Sequence, residues 1–163
     1  MMSVTVKTAH TSRPFEWHSD KDGVHALMWS ADLSMRIEYN GSVYDCVVRF
    51  SGRDDLLGGP CFRCDGLSVP VLFRWFLPSW DKKNELYNIA GAVHDWLYAT
   101  KGANEFFTRE ECDDIFRGIL REAGVGRFKA GVADAMVGLF AGCGLHWGND
   151  SLGVASSARL EFL

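Results

Sequence analysis

The sequence predicts an α+β protein with a β-rich N-terminal half packed on a C-terminal bundle of about three helices. Two observations carry this prediction. Apolar and polar residues alternate on both sides of Asn40-Gly41, and from residue 84 onward the apolar residues recur with helical spacing. The length of 163 residues suits a single domain. We divide it into a β-rich part (1–83), a helical part (84–147) and a tail (148–163).

The β-rich part is predicted to contain a hairpin. Residues 35–39 and 43–50 are its strands, and Asn40-Gly41 is a two-residue turn of the kind that hairpins prefer. Residues 4–8 and 26–30 are weaker strand candidates. The hairpin is therefore the best-defined element of this half.

Two further segments precede the helices. Residues 53–59 are polar and contain glycine, so we expect a loop. A cluster of aromatic residues follows, and it could be a short helix in the core or an exposed lip. The cluster consists of Phe73, Trp75, Phe76 and Trp80, and we favour core over lipid contact for the last three.

Three helices are predicted after residue 84. The first spans about residues 85–100. The second begins at a capping box formed by Thr108 and Glu111. The third spans about residues 127–145 and contains small residues that let helices pack closely. Residues 159–163 could dock as a short strand.

Composition excludes some classes of function. The net charge of -4 and the absence of a basic run argue against a nucleic-acid partner. Five cysteines at irregular spacing form a poor disulfide framework and suit a reducing compartment. Cys61 and Cys64 have CxxC spacing but no second pair, so we interpret them as small buried residues. We find no secretion signal and no stretch near the ~20 apolar residues of a membrane span.

One constellation could do chemistry. His94 and Tyr98 lie about 40° apart on one helix face, and Asp95 projects about 100° away from His94. Asp113 or Asp114 on the next helix could meet that face. Burying such groups is costly unless they are paired. The arrangement would supply His94 as a base, an aspartate that orients its second nitrogen, and the Tyr98 hydroxyl, which fixes that aspartate. Asp95 would then be free to hold a hard cation such as calcium, whereas a purely structural polar cluster is the alternative.

These residues resemble two known families. His94-Asp95-x-x-Tyr98 followed by an acidic residue on the next helix resembles the core of the phospholipase A2 superfamily, especially disulfide-free versions such as the parvovirus capsid domain. The second helix reads Cys112-Asp113-Asp114-Ile115-Phe116, which selects Asp113. About residues 45–147 resemble the DUF1353 family of phage and prophage proteins. Its motifs are similar to residues 62–70, 92–98 and 113–124 of this chain.

The phospholipase resemblance implies roles. His94 would deprotonate a water that attacks an ester, with Tyr98 and Asp113 fixing its ring. Asp95 and loop carbonyls would hold calcium. The superfamily's calcium loop is absent here, and its nearest substitutes are Gly58-Gly59 and the Asp65-Gly66 turn, where Asp65 could add a carboxylate to the metal.

The leading functional hypothesis is a phage-type phospholipase A2-like hydrolase, or a degenerate relative, acting on a lipid ester at a membrane surface. The alternative is a non-enzymatic phage virion or tail accessory protein in which the cluster is structural. A third hypothesis is a metal-dependent hydrolase of another substrate such as peptidoglycan, using Asp65, His94 and Asp95. Partners would be phospholipid or other phage structural proteins, in the host cytoplasm or the virion. The oligomeric state stays open.

Overall fold

The fold was obtained as a computed structural model, and it describes residues 4–53, 60–67, 69, 71–140, 147–151 and 153–163. Several sequence-based predictions lie outside these residues. They are most of the 53–59 loop including Gly58-Gly59, Ser68 and Pro70 of the first family motif, and the end of the third helix at 141–145.

The larger sheet has four antiparallel strands in the order β1-β4-β5-β7. The strands are β1 (Val4–Thr11), β4 (Ala31–Tyr39), β5 (Ser42–Phe50) and β7 (Ala158–Phe162). Strand β4 alternates buried apolar and more exposed residues, so one face of the sheet lies on the core. The docking of residues 159–163 as a strand is confirmed.

The predicted hairpin is confirmed between β4 and β5. Tyr39 pairs with Ser42 at the turn, and Ala31 pairs with Phe50 at the open end. Asn40 and Gly41 have φ angles of 52° and 75°. A two-residue turn needs this left-handed geometry at both positions to match the twist of its strands. The Asn-Gly pair therefore sets the register of the sheet.

The smaller sheet has three short strands in the order β2-β3-β6. They are β2 (Trp17–Ser19), β3 (His25–Leu27) and β6 (Arg63–Cys64). The weak strand predicted at 26–30 is correct only for residues 26 and 27, because β3 ends at Leu27 and residues 28 and 29 form a bend before β4 begins at Ala31. Across this sheet His25 pairs with Cys64.

The helical half contains four elements. They are α1 (Glu85–Ala99), α2 (Lys101–Glu105), α3 (Arg109–Glu122) and α4 (Arg127–Phe140). Three of them agree with the predicted helices, and the α+β class is confirmed. The unexpected one is α2, whose residues all have φ between 50° and 70°. It is a single left-handed turn, which costs L-residues about 1–2 kcal/mol each.

Two glycines let the halves approach closely. A Cβ on Gly118 of α3 would lie 2.7 Å from the Val6 Cβ atom, so this helix rests directly on β1. A Cβ on Gly91 of α1 would lie 2.8 Å from a Leu67 methyl group. Most of α1 is buried between these layers, which places the residues of its central turns in the core.

The aromatic segment does not follow the expectation that it belongs to the core. Val71–Phe73 forms a 3-10 turn, and the Trp75 side chain is 84% exposed. Phe76 and Trp80 are half-buried. The segment is therefore an exposed lip for part of its length. Within the described residues, no helix is long and apolar enough to cross a membrane.

Candidate functional site

Helix α1 carries three of the predicted site residues. Asn84 caps it by accepting a hydrogen bond from the Tyr87 N–H at 3.1 Å. The Asn84 amide also donates to the Ala123 carbonyl at 2.8 Å. Because Ala123 follows α3, this contact fastens the start of α1 to the end of α3. The Asn84 side chain is thus one of the ties between the two helices that carry the site.

Helix α3 begins at the predicted capping box. The Thr108 N–H donates to Glu111 Oε2 at 2.8 Å, and the Glu111 N–H donates to Thr108 Oγ1 at 3.3 Å. Asp114 turns away from α1 and binds Arg117, which also donates to Asp134 at 2.8 Å. Asp113, and not Asp114, is therefore the aspartate that faces α1.

Three predicted residues meet between the helices. His94 Nε2 lies 2.9 Å from Asp113 Oδ1, and the Tyr98 hydroxyl donates to the same oxygen at 2.7 Å. The His94 ring is 2% exposed and packs against Phe116 with a centroid distance of 5.0 Å. One carboxylate oxygen thus accepts from both side chains of the α1 face, and it fixes the tilt of the imidazole.

Arg109 extends this network. Its Nε donates to the Tyr98 hydroxyl at 3.2 Å, and its guanidinium carbon lies 5.7 Å from the Tyr98 ring centroid. The Trp147 ring packs edge-on against the other side of Tyr98. Arg109 was not among the predicted site residues, although it lies directly after the helix cap and four residues before Asp113. Helical i, i+4 spacing could have indicated it.

The surroundings of His94 raise its pKa. Burial alone would lower the pKa, but the hydrogen bonds and charges of Asp113 and Asp95 outweigh burial. The pKa of Tyr98 is raised by burial and by the Asp113 carboxylate, while Arg109 opposes the rise. Tyr98 therefore keeps its proton and can donate it to Asp113.

The second nitrogen of His94 faces other groups. Its Nδ1 lies 3.9 Å from Asp95 Oδ1. Asp95 in turn lies near Asp65 and Cys64, and the ligand atoms of these three residues are all within 4.8 Å of one another. Strand β6 ends at Cys64, and Gly66 has φ of 82°, so a tight turn presents Asp65 there. The structure therefore brings both predicted metal ligands together.

The surroundings of Asp95 disfavour its charged form. Burial raises the pKa of Asp95, Asp65 raises it further, and His94 partly offsets both. The Asp95 side chain is 17% exposed, and Asp65 lies at the surface. A proton or a cation between the carboxylates would relieve their repulsion. This pair is thus the accessible end of the site.

Cys64 is a neighbour that the sequence analysis assigned to the core. Burial raises the pKa of its thiol well above the usual range, and Asp95 adds to that rise. The Gly66 N–H donates to its sulfur at 3.3 Å. The thiol therefore stays protonated and is a poor nucleophile. Its CxxC spacing was the available signal, but Cys61 is not part of the cluster.

His25 borders the same turn, and no sequence periodicity pointed to it. Its ring stacks on Trp80 with centroids 3.5 Å apart, and its Nδ1 shares a hydrogen bond with Ser19 Oγ at 2.5 Å. Burial lowers the pKa of His25, although Asp20 and Asp65 oppose that shift. His25 is therefore held neutral more strongly than His94.

A separate pocket of about 510 Å³ opens beside α2 and β7. Its lining includes Trp96, Lys101, Asn104 and Arg159 but none of the predicted site residues. It therefore does not serve the His94 cluster.

The arrangement can perform one kind of chemistry with the groups present. A histidine oriented through one nitrogen can take a proton through the other, and a nearby carboxylate pair can hold a hard cation. Metal-assisted hydrolysis uses both elements.

Comparison with known proteins supports one family. Residues 59–137 match the model of the DUF1353 family, which is described as a protein of unknown function. This match supports the family resemblance and spans Asp65, His94, Asp95, Tyr98 and Asp113. A search of curated proteins finds no match to the chain, and a search of solved structures finds none either.

Proposed function

Starting from this match to a family of unknown function, we propose that the chain is a phage-type, phospholipase A2-like hydrolase, or a degenerate relative, that acts on a lipid ester. The observation that carries the proposal is the bonding of His94. Asp113 holds Nε2 at 2.9 Å, so Nδ1 is the nitrogen left to take a proton. Orientation of a histidine base through its second nitrogen is the logic of hydrolytic triads, with water in place of the nucleophilic side chain.

In this proposal, His94 is the base and three residues serve it. His94 removes the proton from the attacking water at Nδ1. Asp113 holds the imidazole ring and stabilises its charged form. The Tyr98 hydroxyl holds Asp113 in place, and Arg109 holds the Tyr98 hydroxyl in place. Asp113, Tyr98 and Arg109 are therefore positioning residues.

Calcium is the cofactor that we propose for the carboxylate pair. Asp65 and Asp95 offer hard oxygen donors, and their mutual repulsion is the property that a cation would relieve. Cys64 fits calcium poorly because its thiol is protonated. When bound, the ion would polarise the ester carbonyl and stabilise the oxyanion. Because His94 is buried, the substrate would approach from the exposed Asp65 side.

Ester hydrolysis in phospholipid vesicles tests the proposal. We expect wild-type protein to release fatty acid with calcium and much less with a chelator. His94→Ala should lower the rate about 10²–10⁴-fold, the usual contribution of a general base. His18→Ala, at an exposed histidine, is the matched control and should keep full activity. No wild-type activity, or equal activity in a folded His94→Ala protein, would refute the proposal.

The alternative is a non-enzymatic phage virion or tail accessory protein. The nearly complete burial of His94 favours it, because a buried ring bonded to Asp113 can simply join two helices. In that case His94→Ala would destabilise the fold, and no ester or peptidoglycan fragment would be hydrolysed by the wild type. Hydrolysis of peptidoglycan alone would instead favour the metal-dependent hydrolase that uses Asp65, His94 and Asp95.

A further inference from the structure

Large apolar side chains are exposed at one place outside the site. Leu72 is 81% exposed, Trp75 is 84% exposed and Phe128 is 77% exposed, and Phe73 is exposed to a lesser degree. Single exposed apolar residues are common on protein surfaces, but a contiguous group usually marks a binding surface. We call these four residues together with Phe76 the aromatic patch.

The patch is one surface built from two distant segments. The Trp75 ring lies 5.6 Å from the Phe76 ring, and the Phe76 ring lies 6.2 Å from Phe128 at the start of α4. Lys129 Nζ lies 4.8 Å from the centroid of the Phe76 ring. Phe76 therefore joins the 3-10 turn to α4.

The segment under the patch is anchored to the protein. The Phe76 and Leu77 N–H groups both donate to the Phe73 carbonyl, at 2.9 and 2.8 Å. Leu77 is buried, and the Tyr87 hydroxyl donates to the Pro78 carbonyl at 2.6 Å. The exposed rings are thus carried on a fixed base, so little conformational freedom is lost when they bind.

Exposed cationic residues neighbour the patch residues along the chain. Arg74 lies between Phe73 and Trp75, and Arg127 and Lys129 flank Phe128. Within the part of the chain that the structure describes, none of the three forms an ion pair with a carboxylate. The whole chain has a net charge of -4, so this positive surface runs against the overall charge. Its charge complements an anionic partner.

We propose that the aromatic patch binds the surface of an anionic lipid bilayer. Tryptophan, phenylalanine and leucine beside arginine and lysine are the side chains that insert at the boundary between acyl chains and headgroups. Cations at that depth meet lipid phosphates. Side chains more than three-quarters exposed project from the surface and do not line a groove, which suits insertion into a fluid more than docking of a folded partner. The inference deepens the proposed function, because it names how a lipid substrate would be reached.

Vesicle binding without hydrolysis tests this surface. The protein is mixed with phosphatidylcholine vesicles with or without phosphatidylglycerol, in the presence of a chelator, and the bound fraction is measured by flotation. We expect binding to the anionic vesicles. Leu72→Ala, Trp75→Ala and Phe128→Ala should each weaken it about tenfold, as expected for removing one inserted side chain.

Matched controls separate the patch from general hydrophobicity. Leu163 is 79% exposed at the end of the chain, far from the patch in sequence, so Leu163→Ala should leave binding unchanged. Arg127→Gln and Lys129→Gln should weaken binding to anionic vesicles only. Lys7→Gln, which removes a cation already paired with Glu38, should have no effect.

Several outcomes would overturn the inference. The first is that the protein does not bind vesicles, and the second is that the patch variants bind as well as the wild type. The third is that the protein self-associates or captures a protein partner, that Trp75→Ala abolishes this association, and that vesicles stay unbound. The two proposals fail separately. Binding without hydrolysis refutes the hydrolase alone, whereas hydrolysis of a water-soluble short-chain ester without vesicle binding refutes the lipid surface alone.

Discussion

The two ring nitrogens of His94 lie in different surroundings. On the Nε2 side, Asp113 accepts from both His94 and Tyr98, and Arg109 donates to the tyrosine. On the Nδ1 side, Asp95 lies 3.9 Å away with Asp65 beside it. Among the described residues, no lysine or arginine forms an ion pair with either of these two carboxylates.

The difference separates positioning from reactivity. A network whose donors and acceptors are matched holds a side chain still and contributes to stability. Two close carboxylates oppose stability until a proton or cation joins them, and such groups are frequent at functional sites. Substitutions on the Asp113 side of His94 should therefore cost the most folding stability, and substitutions on the Asp95 side should most affect ligand binding.

Replacing Asp113 should give the largest loss of stability. Asp113→Ala leaves His94 and Tyr98 without their acceptor and should lower the free energy of unfolding by about 2–5 kcal/mol. Asp65→Ala, at an exposed carboxylate, should change it by no more than about 0.5 kcal/mol. Urea unfolding of both variants measures the contrast. Equal losses would show that the two sides do not differ.

Calcium should act on the Asp95 side of His94, where the two carboxylates lie. If the carboxylate pair holds calcium, the ion should stabilise the folded chain by about 2.7 kcal/mol at a concentration 100 times its dissociation constant. Asp95→Asn should abolish this gain. Asp22→Asn, at an exposed aspartate outside the cluster, should keep it. Thermal unfolding with calcium or chelator measures the shift, and an unchanged midpoint in the wild type would contradict a calcium site.

The Tyr98 hydroxyl should contribute less than Asp113. Tyr98→Phe removes the hydrogen bond to the Asp113 carboxylate and the one from Arg109 but keeps the ring, so the expected loss is about 1–2 kcal/mol. Tyr44→Phe is the control, because the Tyr44 hydroxyl makes no hydrogen bond to the described residues. Chemical unfolding of the two variants measures the contribution of the Tyr98 hydroxyl to stability. A loss as large as that of Asp113→Ala would mean that Tyr98 does more than position the aspartate.

The smallest effects concern pH. The raised pKa of His94 means that its contribution to stability is complete below its ordinary value of 6.5 and is lost as pH rises through the folded-state value. His25 has a lowered pKa, so its contribution is complete above 6.5 and is lost as pH falls through the folded-state value. NMR titration of both rings without metal should give shifts of opposite sign. His25→Gln should remove the part of the stability loss at acid pH that comes from protonation of His25.

Much of the local structure was predictable because it depends on neighbouring residues. Asn40-Gly41 is one of the few pairs that adopts two successive left-handed residues at little cost, so it indicated the hairpin. Thr108 and Glu111 satisfy each other's backbone groups, so they marked the start of α3. The meeting of His94 with Asp113 followed from helical spacing and from the second-helix motif. The catalytic roles given to these residues stay predictions.

Other features depend on contacts between distant segments. Trp75 was expected in the core because large aromatic residues usually are, but only packing decides that Leu77 is buried and Trp75 is not. Cys64 joined Asp95 because β6 pairs with β3 beside α1. No short-range pattern encodes that pairing. The left-handed turn α2 also had no signal, since only one of its five residues is glycine.

By itself, the sequence determined the α+β class, the hairpin register, the extent of α1 and the start of α3, because backbone conformation and capping are decided within a few residues. It also placed His94, Asp95 and Tyr98 on defined faces of one helix. Only the tertiary structure decided that Cys64 lies beside Asp65 and Asp95 and which aromatic residues face solvent. Those outcomes depend on how much surface each residue buries against segments far away in the chain, and local sequence does not specify that quantity.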